Sequence, residues 1–95
     1  MDDKKHFLVT LAFPRGTPTD EERSRQRDFL RRLQDEGTLL VAGQFPDDKG
    51  GGMSILTAGS LDAAHEIFGQ SPLVHADRVE WSVREFKVTW GFGRP

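Results

Sequence analysis

The chain contains no cysteine. A disulfide framework, thiolate zinc sites and a cysteine nucleophile are therefore excluded. Long apolar runs are missing too: no stretch approaches the roughly 20 residues of a membrane-spanning helix. The start, Met1-Asp2-Asp3-Lys4-Lys5-His6, is charged and lacks an apolar leader segment, so no signal peptide is expected and the chain reads as cytoplasmic. An excess of one charge is also lacking. Thirteen Lys and Arg stand against 15 Asp and Glu, a formal net charge of -2, which argues against nucleic acid as a partner.

What is present fits one domain over residues 1–95, with a core at about 5–90. Phe7, Val9, Leu11 and Phe13 alternate, the period of a strand. Pro14 to Pro18 breaks it. Thr19 with Glu22 forms a capping box, so a helix starts there, with Gln26, Phe29, Leu30 and Leu33 on one face and Gly37 as its stop. That helix carries Arg23, Arg25, Arg27, Arg31 and Arg32 among six acids, and Glu21 with Arg25 and Asp28 with Arg32 have ion-pair spacing. The mixed charge reads as a solvated face.

Thr38 to Phe45 and Gly52 to Ala58 form a hairpin across Pro46-Asp47-Asp48-Lys49-Gly50-Gly51. The three glycines are not a phosphate cradle, because a strand follows them where such a cradle needs a helix. Ser60 caps a second helix to about Phe68, with Leu61, Ala64 and Phe68 as its apolar face. Ser71-Pro72 starts a short helical turn over Leu73 to Ala76. Val79 to Trp90 is the last strand, and its alternation slips near Arg84-Glu85, where a bulge is expected.

The order β-α-β-β-α-β predicts an α+β, ferredoxin-like fold: an antiparallel four-stranded sheet with two helices on one face. Strands one, two and four carry apolar residues on both faces, for example Leu39, Val41 and Phe45 against Leu40 and Ala42. Two helices cover only one face, so the other is expected against a second copy, in a homodimer or higher assembly.

Four segments, spread over Phe7 to Trp90, resemble the YciI-like (YCII-related) family of the dimeric α+β barrel superfamily. Arg23-Ser24-Arg25-Gln26 is similar to its Arg-x-x-His. Gly37-Thr38-Leu39-Leu40-Val41-Ala42-Gly43-Gln44 is similar to its Gly-x-Leu-Leu-x-Ala-Gly-Pro. Ser60-Leu61-Asp62-Ala63-Ala64 is similar to its Ser-x-Glu-Glu-Ala. Ser71 to Ala76 is similar to its Asp-Pro-Phe-x-x-Ala-Gly segment. The resemblance implies a pocket and a cofactor-independent small-molecule enzyme of the lyase, dehydrochlorinase or isomerase type. One family relative is a dehydrochlorinase acting on an aromatic substrate. The family's proposed acid-base pair is a histidine and an aspartate, and here Gln26 and Ser71 stand at those positions, with Gln44 at the proline. Neither glutamine nor serine titrates near neutral pH, although both donate and accept hydrogen bonds.

The residues expected to line a substrate pocket are therefore Arg23, Gln26, Gln44 and Ser71. Each has a plainer reading. Gln26 can reach solvent at the helix edge, Arg23 can pair with Asp20 or Glu22, and Ser71 is a helix cap. His75 with Asp77 is a weaker alternative acid-base pair. His65 reads as a half-buried structural histidine, and Trp81 and Trp90 as packing groups. The histidines lack metal-site spacing, so no metal is expected, and no cofactor. Two function classes remain open: an enzyme on a small organic molecule with an altered polar set, or a catalytically silent binding or dimerisation domain.

Overall fold

Local signals along the chain account for every element boundary in the first half of the molecule. The structure is a computed structural model that describes residues 4–47 and 50–91. Asp48 and Lys49 of the expected turn, the first three residues and the end of the tail lie outside the described residues. Strand β1 spans Lys5–Ala12, helix α1 Asp20–Asp35, and the hairpin strands β2 Leu39–Gln44 and β3 Gly52–Ala58. Helix α2 spans Leu61–Phe68, α3 Pro72–His75, and β4 Glu80–Glu85.

The expected capping box is formed. Glu22 N donates to Thr19 Oγ1 at 3.1 Å, and Thr19 N donates to Glu22 Oε1 at 2.8 Å. At the other end, Gly37 takes φ 79°, the left-handed conformation that glycine adopts without a Cβ penalty. Its N–H donates to Gln34 O and the N–H of Thr38 to Leu33 O, a pair of bonds that satisfies the last carbonyls of the helix. Helix α3 ends the same way. Asp77 sits at φ 55°, with Asp77 N donating to Val74 O and Arg78 N to Leu73 O. A non-glycine residue in the left-handed region is uncommon, and Asp is among the residues that tolerate it.

The four strands are ordered β2-β3-β1-β4, each neighbouring pair antiparallel. Together with the helices this is the expected α+β architecture. The helices pack on the face that carries Phe7 and Val9 of β1, Leu56 of β3 and Leu39 of β2. Phe29 and Phe68 meet edge to face at 5.8 Å there. Phe7, Val9, Leu56 and Phe68 are fully buried, each contributing about 1.5–3 kcal/mol of transfer free energy.

Three expectations need correction. The bulge falls in β2, not β4: pairing shifts between Leu39 and Val41, leaving Leu40 as the extra residue. Leu39 therefore shares the helix side with Ala42 and Gln44, while Val41 and Gly43 face the other way, opposite Ile55 and Met53. In β4 the phase slip at Arg84-Glu85 ends the strand instead of bulging it. Phe86, Val88 and Trp90 lie beyond it, with Trp90 82% exposed. The open face of β4 is thus polar (Glu80, Ser82, Arg84), and the apolar part of that face is Leu8, Val41, Met53 and Ile55. In α2, Ala64 and Phe68 are buried as expected, but Leu61 is exposed.

Candidate functional site

Helix α1 leans over the turn end of the β2–β3 hairpin and leaves a cavity of about 470 Å³. Its walls come from Arg23, Gln26, Arg27 and Leu30 of α1, from the hairpin at Ala42–Asp47 and Gly50–Ser54, and from Leu11, Phe13 and Leu73. The hairpin wall is backbone where Gly51 and Gly52 lie. Gly51 has φ 91°, and a Cβ there would stand 2.5 Å from Leu11 O; a Cβ on Gly52 would collide with Gly43 O. Gly51 lets the turn close against β1, and Gly52 lets the two hairpin strands approach each other, without side chains between.

At the inner wall, Gln26 is 7% exposed and Ser71 is fully buried. They are joined by a hydrogen bond of 2.6 Å from Ser71 Oγ to Gln26 Oε1. Ser71 Oγ also accepts from Leu73 N at 3.2 Å, as the cap of α3. A hydroxyl has one proton. Ser71 Oγ accepts from Leu73 N–H with one of its lone pairs and gives its proton to the glutamine oxygen. Gln26 Nε2 is then a buried donor without a partner among the described residues. An unsatisfied buried polar group costs about 1–3 kcal/mol.

The segment that presents Ser71 is held from below. Arg78 Nε donates to both carboxylate oxygens of Glu22, at 3.1 and 3.0 Å. Glu22 thus serves its capping box and bridges α1 to Arg78, in the turn that follows α3. The Arg78 guanidinium, then the Thr19 N–H, hold the Glu22 carboxyl below its usual range, and the same bond raises Arg78 above its own.

A YCII-related domain matches residues 2–87. The chain belongs to the YCII-related domain family. Among curated proteins, the uncharacterized protein YjpA of Bacillus subtilis (strain 168) is 39% identical over 61 residues, 64% of this chain and 71% of YjpA. Among solved structures, a muconolactone isomerase superposes with a TM-score of 0.71 at 18% identity, over 95% of this chain and 97% of that one. The 5-chloro-2-hydroxyhydroquinone dehydrochlorinase TftG of Burkholderia phenoliruptrix AC1100, solved with 2,5-dihydroxybenzoquinone, gives 0.63 at 20% identity, over 86% and 93%. The uncharacterized protein TM1266 of Thermotoga maritima gives 0.63 at 13% identity, over 88% and 99%. At these identities the structural likeness speaks for the α+β fold alone.

In this YCII-related chain, the structure brings Arg23, Gln26 and Gln44 to one cavity wall or another. Ser71 is not on the wall but directly behind Gln26. Residues 26 and 71, where the family resemblance expects histidine and aspartate, are in contact although 45 positions apart. His75 and Asp77 do not line the cavity, and no hydrogen bond joins them among the described residues. Asp77 instead forms the left-handed turn after α3 and accepts from Arg15, whose Nη2 lies 2.7 Å from Asp77 O. His65 is exposed, not half-buried, and stacks on Trp81 at 4.5 Å. The pair Glu21–Arg25 forms at 3.2 Å. Asp28–Arg32 does not form among the described residues, and Arg32 lies over the Phe29 ring.

Sequence reasoning missed Arg27, Ser54 and the Glu22–Arg78 bridge. Ser54 had a legible signal: it shares the inward phase of β3 with Leu56 and Ala58 and is 4% exposed. Arg27 also had one. Its neighbours three and four positions away are Arg23, Ser24, Leu30 and Arg31, with no acid to pair with. The bridge had none, because its partners are 56 residues apart.

Proposed function

We propose that this YCII-related protein binds a small organic molecule in the cavity beside α1 and recognises it through neutral hydrogen bonding rather than a titrating acid-base pair. The observation that carries this reading is the buried Gln26–Ser71 bond, which commits the glutamine oxygen and leaves Nε2, a buried atom of a cavity-lining residue, as an unspent donor. The volume suits such a ligand, since small-molecule sites span roughly 300–1,000 Å³. Gln44 adds a second amide from the hairpin side.

An enzymatic reading of the lyase, dehydrochlorinase or isomerase type draws its support from the names of the structural neighbours. It requires a reaction that needs charge stabilisation but no proton carried by residue 26 or 71, so the silent binding reading is preferred. The apolar open face at Leu8, Val41, Met53 and Ile55 supports self-association as a homodimer.

The test is a screen of hydroxylated and halogenated aromatics and lactones against isotope-labelled protein, reading the Gln26 side-chain amide by NMR. Binders shift that resonance, and Gln26→Leu weakens them about tenfold, the worth of one hydrogen bond to a buried donor. Wild type turns none of them over. A screen in which nothing moves the Gln26 amide defeats the binding reading, and turnover by wild type restores the enzymatic one.

A further inference from the structure

We infer that the ligand of this cavity is an organic anion, a carboxylate whose other end carries a neutral acceptor oxygen. The inference rests on the binding reading above and adds its charge class. It starts from the distribution of arginines on α1. Arg23 and Arg27 are four residues apart on one helix face, and both line the cavity. Like charges at this spacing repel along a helix. Three other arginines of the described chain have ion-pair partners, Arg25 with Glu21, Arg78 with Glu22 and Arg15 with Asp77, while Arg31, Arg32 and Arg84 form none among the described residues; what sets Arg23 and Arg27 apart is that they line this cavity. Arg23 and Arg27 form no ion pair among the described residues. Glu22, the acid next to Arg23 in sequence, is engaged by Arg78 and by Thr19 N.

The lining adds one opposing charge. Asp47 lies on the hairpin side, where its Oδ1 accepts from Gly50 N at 3.2 Å. Two guanidinium groups against one carboxylate leave the described lining with a positive excess.

The second point of recognition lies deeper. Gln26 is buried while Arg23 and Arg27 are exposed, so the amide stands at the inner wall and the arginines at the rim. Gln26 Nε2 donates and cannot accept, which selects a carbonyl, ether or hydroxyl oxygen at the inner end of the ligand. Leu11, Phe13, Leu30 and Leu73 offer apolar contact between the two ends. A guanidinium presents a planar fork that matches a carboxylate. The combination describes a compact apolar body with an acid group outward and a neutral oxygen inward.

The experiment uses a matched pair of probes, 3-acetylbenzoate and 3-acetylbenzamide, titrated into the full chain by NMR with the Gln26 side-chain amide as the deep readout. Both probes shift that amide. The acid binds about five- to tenfold more tightly than the amide, and its affinity falls with added salt while that of the amide does not. Arg23→Gln and Arg27→Gln each remove most of the difference between the two probes. Both sites are exposed, so these variants fold, which circular dichroism verifies. Equal affinities for the two probes, with the Gln26 amide still shifted, overturn the anion inference and leave the binding reading standing. An acid preference that survives both arginine changes overturns it as well. Failure of both probes to move Gln26 counts against the two readings together.

Discussion

At the scale of single residues, Ser71 does two jobs with one oxygen. It caps α3 by accepting from Leu73 N and orients Gln26 by donating to its oxygen. Aspartate would also cap, so the cap alone does not select serine. What selects it is a neutral partner: beside a glutamine, a fully buried carboxylate would be an uncompensated charge. Ser71→Ala removes the cap and strands the glutamine oxygen, so urea unfolding should show a loss of about 2–3 kcal/mol. A loss under about 0.5 kcal/mol, the range of ordinary surface changes, would mean that the buried bond contributes nothing.

At the scale of elements, the cavity depends on how α1 and α3 are tied. The Ser71–Gln26 bond joins them inside, and the Glu22–Arg78 bridge joins them at the edge. The bridge makes stability depend on pH. The folded Glu22 carboxyl titrates below its unfolded value, which is about 4.3. Its contribution is therefore full above that value and is lost as pH falls through the lower folded one. Glu22→Gln should lower stability at neutral pH and flatten the loss of stability below about pH 5, measured by urea unfolding at stepped pH. If variant and wild type lose stability in parallel across that acid range, the bridge does not carry the effect. The hairpin contributes differently. The bulge at Leu40 turns Ala42 and Gln44 toward α1 and Val41 toward the open face, so one extra residue assigns β2 to both the cavity and the uncovered surface.

At the scale of the whole molecule, the two sheet faces are unequal. One is covered by α1 and α2. The other carries Val41 at 47% and Met53 at 42% exposure beside the half-buried Leu8 and Ile55. Burying such a patch against a second copy removes apolar surface from water at about 25 cal/mol per Å². Sedimentation velocity at micromolar concentration should give twice the mass of one chain, and Ile55→Lys should return it to one chain with an unchanged circular dichroism spectrum. A wild-type chain that sediments as a monomer would end the self-association proposal.

The sequence by itself determined the elements and their order. The capping box at Thr19, the stop at Gly37, the caps at Ser60 and Ser71 and the period-two runs of β1 and β3 act over a few residues, so they are legible without the fold. It also marked positions 23, 26, 44 and 71 as the places to look. Tertiary structure decided what those positions do. It placed Ser71 behind Gln26 rather than beside it on the wall, gave Glu22 to Arg78, and added Arg27 to the cavity. It moved the bulge from β4 to β2 and made Asp77 a turn residue. The physical reason is range. A cap or an alternation is settled by neighbours, whereas a contact across 45 or 56 residues depends on how helices and sheet pack, and only that packing decides which buried polar group has a partner and which has none.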